Sequence, residues 1–243
     1  MKTSIVRTVR VVSLALSCLA AGTVSAQADA ALSDDAAKAE LHQIAPSCPL
    51  GLERLLPGEY YFCAAARDMG NGHESLSHDR LRDAAGWASK PAQYVLGLMY
   101  YHGDEGTPDR PLGIAWLALA TERHEPRFET AFAAAYAKAS PEEREKANAY
   151  WLKLRDKYSD RVAGRRAKAR FQSEMHSLYA MAENGGTIEI TGMGPMNQLA
   201  FAQKMNDKSD EFFRGLDGTV TVGEGQMSLE PIGKLADPGT GAK

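Results

Sequence analysis

The chain has 243 residues, 44% of them hydrophobic and 24% charged, with a formal net charge of −3. It lacks the basic surplus that neutralising nucleic-acid phosphates requires, which sets a nucleic-acid partner aside. Beyond the N-terminus, no apolar run approaches the roughly 20 residues that a membrane-spanning helix needs.

Lys2, Arg7 and Arg10 form a basic start, Val11 to Val24 is an apolar run broken by Ser and Gly, and Val24-Ser25-Ala26 offers small residues for cleavage. This is the pattern of a secretory signal peptide over residues 1–26. Its form resembles Gram-negative signals and predicts a periplasmic or secreted protein. Loss of those three basic residues takes the formal charge from −3 to −6. Cys18 lies inside the apolar run, but Ala15-Leu16-Ser17 is a poor approach to a lipid-attachment cysteine.

Residues 27–55 read as a mobile N-terminal segment in which Ser33 and Asp34 cap a short helix reaching Ile44. After the signal, Cys48 and Cys63 remain, 15 residues apart. In an oxidising compartment they form a natural pair, and in the loop-entropy model such a closure contributes about 3 kcal/mol. Two buried thiols are the other reading, because free cysteine behaves as a small hydrophobe. Neither has a His or Cys neighbour at metal-binding spacing.

Residues 56–184 carry helical periodicity in pairs. A helix over Glu59 to Asp68, the turn Gly70-Asn71-Gly72 and a helix from about His78 bearing Ala84-Ala85 form the first. In the second, Ala92, Leu96, Met99 and Tyr100 share one face, then Leu112, Ala115, Trp116 and Leu119 share another. Gly97, inside a helix, predicts a close approach by another backbone, and Gly103 and Gly106 turn the chain. Ala84 and Ala120 stand 36 residues apart, a spacing that suits a helix-pair repeat.

The third pair places Phe128, Ala131, Phe132, Ala135 and Tyr136 on one stripe. Ala147, Tyr150, Trp151, Leu154 and Tyr158 make the next, which Ser140-Pro141-Glu142-Glu143 opens as cap, first-turn proline and dipole-matched acids. Ala167, Phe171, Met175, Leu178 and Ala182 carry a final helix to Gly185. Residues 185–235 change character into a small appendage. Thr187 to Thr191 alternates as a strand, Gly192 to Pro195 turns, and Met196 to Leu216 is helical with Leu199, Ala200, Phe212 and Phe213 as its apolar members. A hairpin over Thr219–Val222 and Met227–Leu229 follows, and residues 236–243 read as a disordered tail.

Ala92, Tyr94, Leu96, Gly97, Tyr100, Gly103, Asp109, Trp116 and Ala120 together resemble the signature of the Sel-one-like repeat family, relatives of the tetratricopeptide repeat. Four positions depart from that pattern. Glu105 replaces a turn glycine, Gly113 a helix alanine, Thr121 the second alanine of a pair, and His124 a closing glycine. The resemblance implies an all-α protein, a right-handed α-solenoid of about three helix pairs with the α+β appendage at its end. It also implies protein–protein interaction. Cysteine-rich secreted members of the family are associated with binding or hydrolysing β-lactams, but their repeats each carry a cysteine pair and this repeat has none.

Catalytic signals are absent from the sequence itself. The six histidines make no His-Glu-x-x-His or other zinc spacing. There is no Gly-x-Ser-x-Gly elbow, phosphate loop or dinucleotide fingerprint, so neither catalytic residues nor a cofactor or metal is expected. Arg161, Arg165, Arg166, Lys168 and Arg170 fall within ten residues free of acids. They read either as a solvated helix face or as a docking patch for an acidic partner or anionic cell-wall polymer. The inner wall of the solenoid is a second candidate surface, with Gln93, Tyr101 and His102 as its expected exposed residues. The resulting expectation is an exported, non-catalytic interaction scaffold of the bacterial envelope. A β-lactam-binding or hydrolysing enzyme and a peptidoglycan-binding protein are the alternatives.

Overall fold

A computed structural model describes residues 26–44, 52–104, 106–182, 187–190 and 194–216. Helices hold 80% of the described residues, beside one two-stranded sheet, so the helical class expected from the periodicity stands. Residues 1–25 of the expected signal peptide, Cys48, Glu105, the second predicted hairpin and the C-terminal tail lie outside the described residues.

After a helical stretch over residues 26–31, α1 spans Asp34–Ile44. The first hairpin is α2, Pro57–Gly70, and α3, Glu74–Gly86. Pro57 opens α2, where its missing N–H costs nothing, and Gly72 turns the chain at φ 76°. The second helix starts about a turn earlier than His78. Ser77, at 0% exposure, is inside it and donates from Oγ to the Ala65 carbonyl across the hairpin at 2.9 Å.

The second hairpin is α4, Lys90–His102, and α5, Arg110–Ala120. Ser89 caps α4 by accepting from the Ala92 N–H at 3.4 Å, and Asp109 caps α5 by accepting from the Leu112 N–H at 3.1 Å. Gly103 closes α4 in the left-handed conformation, at φ 86°. From Gly113 to Ala120 every residue of α5 is buried, so this helix is central and apolar all round rather than striped.

Gly97 and Gly113 explain how tightly the pair closes. A Cβ on Gly97 would sit 2.7 Å from Leu117 Cγ, and one on Gly113 would sit 2.7 Å from both the Gly97 carbonyl oxygen and the Tyr101 nitrogen. The close approach predicted at Gly97 is therefore met. The departure at Gly113 has a physical reason, since an alanine methyl there would meet backbone.

The third hairpin is α6, Pro126–Lys138, and α7, Pro141–Tyr158. Ser140 and Glu143 form a full capping box. Both α5 and α6 pack against one another, and α7 lies along α5 and touches α3. The residues expected on the stripes of α4 to α7 are all buried or half-buried, although on α5 they do not form a separate face. Positions 36 apart also recur in kind. Leu81 and Leu117 are both fully buried, Ser89 and Glu125 both cap helices, and Ala88 and His124 both adopt positive φ, 64° and 57°.

A π-helical turn, Asp160–Gly164, leads into α8, Arg165–Ala182. Strand β1, Thr187–Ile190, pairs antiparallel with β2, Gly194–Asn197, with Thr187 opposite Asn197. Helix α9 then runs Gln198–Phe212, capped by Asn197. Its buried residues are Phe201, Ala202, Met205 and Ser209, whereas Leu199 is 68% exposed and Ala200 is exposed as well. The apolar stripe read on this helix was thus partly misplaced. Phe201, Met205 and Ser209 share a face at i, i+4 and i+8 with Phe213 beyond, while Leu199 and Ala200 lie on the first turn's outer side.

Two cores result. The first gathers α1 to α7 around Tyr94, Leu96, Leu117 and Trp116. The second brings Ala167, Phe171, Met175 and Leu178 of α8 onto Phe201, Met205 and Phe213, with Leu52, Leu55 and Leu56 from before α2. Helix α8, grouped by its periodicity with residues 56–184, buries its face against the appendage instead.

Candidate docking site

The basic run acquires its geometry from the turn that precedes it. Asp160 opens the π-helical turn, and its carboxylate accepts from Arg123 Nε and Nη2, each at 2.8 Å, and lies 3.2 Å from Lys90 Nζ. Lys90 and Arg123 are 4% and 8% exposed in their side chains. Burial alone would raise the Asp160 pKa, but the Arg123 hydrogen bonds and the Lys90 charge outweigh it and hold the carboxyl below the usual range. The start of α8 is therefore tied to a buried anchor.

From that anchor the five basic residues divide between two jobs. Arg166 and Arg170, one turn apart, both lie over the Trp87 ring, at 5.0 and 5.4 Å. Arg166 also donates to the Gly86 carbonyl, and Arg170 to the Arg54 carbonyl at 2.9 Å. These two stitch α8 to the end of α3. Arg161 and Arg165 are exposed, and Lys168 is half-buried on the face that follows them at i, i+4 and i+7. The exposed members of the run are thus Arg161 in the π-helical turn and Arg165 and Arg166 at the start of α8, and of these Arg161 and Arg165 do not stack on Trp87.

The inner wall differs from its expectation more sharply. Gln93 is fully buried, Tyr101 is 8% exposed and His102 is half-buried. Gln93 donates to the Tyr158 carbonyl at 2.8 Å and accepts from Lys90 Nζ at 3.0 Å, so it belongs to the interior of the hairpin stack. Tyr101 lies under the Arg110 guanidinium, 5.0 Å from its ring, and His102 meets the Leu32 carbonyl at 2.7 Å. Residues 26–44 and α7 cover what the helical wheel alone left open.

Sequence reasoning missed the polar cluster of Lys90, Gln93, Glu122, Arg123 and Asp160. Lys90 bonds Glu122 Oε2 at 2.5 Å and the Leu119 carbonyl at 2.9 Å, while Glu122 also accepts from the Asp160 N–H at 2.8 Å. Arg123 further donates to the Phe212 carbonyl at the end of α9 and, at 3.1 Å, to the Ala88 carbonyl. The members are spread over 70 residues and carry no periodic signal. Two cations meet two carboxylates here, an arrangement that ties the helix ends and the π-helical turn together.

A surface cleft of about 190 Å³ is lined by His78, Arg82, Met99, Tyr100, Gly103, Gly106 and Thr107. Arg82 donates to the Tyr100 hydroxyl at 2.5 Å, and His78 stacks edge-on against the Tyr100 ring. Burial first, then the Arg82 charge, lowers the His78 pKa and favours its neutral form. The cleft is smaller than the roughly 300 Å³ of ordinary small-ligand sites.

Cys63 is disulfide-bonded. Among the described residues no group of three or more His, Cys, Asp or Glu side chains is placed to hold a metal, and no helix is long and apolar enough to cross a membrane. No family model, curated protein or solved structure matches this chain.

Proposed function

We propose that this protein is an exported helical-repeat scaffold of the Sel-one-like kind that works in the cell envelope by docking another protein, without catalysis. The observation that carries the reading is the 36-residue correspondence of successive hairpins. It extends from buried Leu81 and Leu117 to the left-handed Ala88 and His124. His124 stands where the resembled pattern has its closing glycine, and it adopts the backbone conformation for which glycine is normally chosen. Stacked hairpins of this kind present long ordered surfaces, and their residues are spent on packing rather than on reacting groups.

The docking edge in this proposal is Arg161 of the π-helical turn and Arg165 at the start of α8, held in place by the Asp160–Arg123 pair in a chain of net negative charge. It suits an acidic partner surface, because a positive patch that is fixed in place selects by charge and geometry together. The test is crosslinking and affinity capture of the tagged protein from its native periplasm, beside the variant Arg161→Glu/Arg165→Glu. A specific partner recovered by the wild type and lost by the variant, with helicity unchanged, is the expected result. Equal capture by both would remove the patch, and sedimentation of the protein with purified cell wall would point to peptidoglycan instead.

A further inference from the structure

His78 and Arg82 stand one helical turn apart on α3, and both reach Tyr100 of α4. Arg82 gives a single hydrogen bond, from Nη2 to the Tyr100 hydroxyl at 2.5 Å, and forms no ion pair among the described residues. A guanidinium carries five N–H donors, so most of its capacity is left over. The Tyr100 oxygen accepts from Arg82, which leaves its own O–H to donate, and that O–H meets no acceptor among the described residues. Other arginines of this chain are settled differently. Arg110, Arg123 and Arg127 each reach a carboxylate, on Glu143, Asp160 and Glu40. Asp79, the acid whose charge acts on Arg82, stands beyond ion-pair distance.

Both residues line the cleft of about 190 Å³. Met99, 5% exposed, and the His78 ring give it apolar walls. Its rim is a pinned turn. The Asp109 N–H donates to the Tyr100 carbonyl and the Gly106 N–H to the Gly103 carbonyl, each at 2.9 Å. A Cβ on Gly103 would sit 2.7 Å from the Gly106 carbonyl oxygen, so the turn closes tightly on itself. The cleft is thus formed before any ligand arrives, which spares the cost of ordering it. Below the size of ordinary ligand pockets, it admits a small polar head on a short stem.

We propose that this cleft is a carboxylate site, taking a short-chain acid or the terminal carboxylate of a peptide. One carboxylate oxygen accepts from the Arg82 guanidinium and the other from the Tyr100 O–H, while the stem lies on Met99. Two adjacent donors select a planar, two-oxygen anion over a single acceptor. An amide of the same shape brings one acceptor and no charge, and so binds more weakly. Burial favours neutral His78, which leaves Arg82 as the cation lining the cleft. The site is separate from the Arg161 and Arg165 edge and does not rest on the scaffold reading.

The test is a titration of the full chain, labelled with carbon-13 at its methionine methyls, at neutral pH and constant ionic strength. Met99→Leu assigns the reporter signal. Propionate should move the Met99 methyl in a saturable way, and propionamide should bind about tenfold more weakly. Arg82→Gln should weaken propionate about tenfold, and Arg82→Lys, which keeps the charge without the fork, should fall between it and the wild type. Tyr100→Phe, which removes the second donor, should also weaken it. N-acetyl-dialanine and its C-terminal amide form the second arm. If the dialanine acid binds more tightly than propionate, the ligand is a peptide terminus, and if propionate alone binds, it is a free acid. Equal binding of propionate and propionamide overturns the proposal, as does propionate binding unchanged in Arg82→Gln. A Met99 methyl that no acid moves overturns it too. The comparison of acid with amide needs no variant, so it stands whether or not a variant folds.

Discussion

Gly113 shows how a single missing methyl sets the distance between two helices. Its ideal Cβ position lies 2.7 Å from backbone atoms of Gly97 and Tyr101, which cannot rotate away as a side-chain tip could. Gly113→Ala should therefore destabilise the protein by about 1–3 kcal/mol, the usual range for overpacking a closed interior. Ordinarily Gly→Ala inside a helix stabilises, so the sign of the change in thermal unfolding is diagnostic. A melting temperature at or above the wild type's would show that α4 and α5 have room to separate. Gly97 could be read from the sequence as a close-approach glycine because it interrupts a helical stripe. Gly113 could be recognised only as a departure, since its reason lies on the neighbouring helix.

At the scale of elements, the capping residues and apolar stripes were legible because they are local. Ser140 with Glu143 acts within one turn of chain, and the Ala147 to Tyr158 face within about three. The junction between α8 and the earlier hairpins was not legible, because Lys90, Arg123 and Asp160 come from three distant segments. It carries a pH-dependent prediction. The folded-state pKa of Asp160 is depressed, so its contribution is present above the unfolded value near 3.9 and is lost as pH falls through the folded value. Asp160→Asn should cost about 3 kcal/mol at pH 7, since it leaves a buried Arg123 short of its carboxylate. The difference from the wild type in denaturant titrations should shrink as the pH is taken below about 4. A difference that stays constant down to pH 2 would show that the carboxylate charge contributes nothing to docking α8. The basic run was legible as composition, but its division was not. Arg166 and Arg170 are drawn onto Trp87, which sits more than 70 residues upstream of both.

The whole molecule joins a stack of hairpins to a second core, and the region before α2 touches both. Leu52, Leu55 and Leu56 enter the second core, while Leu32 and Leu41 enter the first. Cys63, 2% exposed on α2, is disulfide-bonded. With Cys48 as its expected partner, reduction should lower stability by about 3 kcal/mol in the loop-entropy model. Unfolding measured with and without reductant, and in Cys48→Ser, checks this. Loss of stability on reduction that persists unchanged in Cys48→Ser would assign the partner elsewhere.

What this sequence determined by itself is the set of helices from α2 to α8, their buried faces and the 36-residue spacing between hairpins. Those features follow from periodicity and caps, which act over a few residues at a time. The tertiary structure alone decided which faces stay open. It buried Gln93 and Tyr101, divided the basic run, moved α8 into the second core and packed α1 against α2 and α4. Each of those outcomes depends on groups brought together from distant parts of the chain, and burial is a property of the neighbours as much as of the residue.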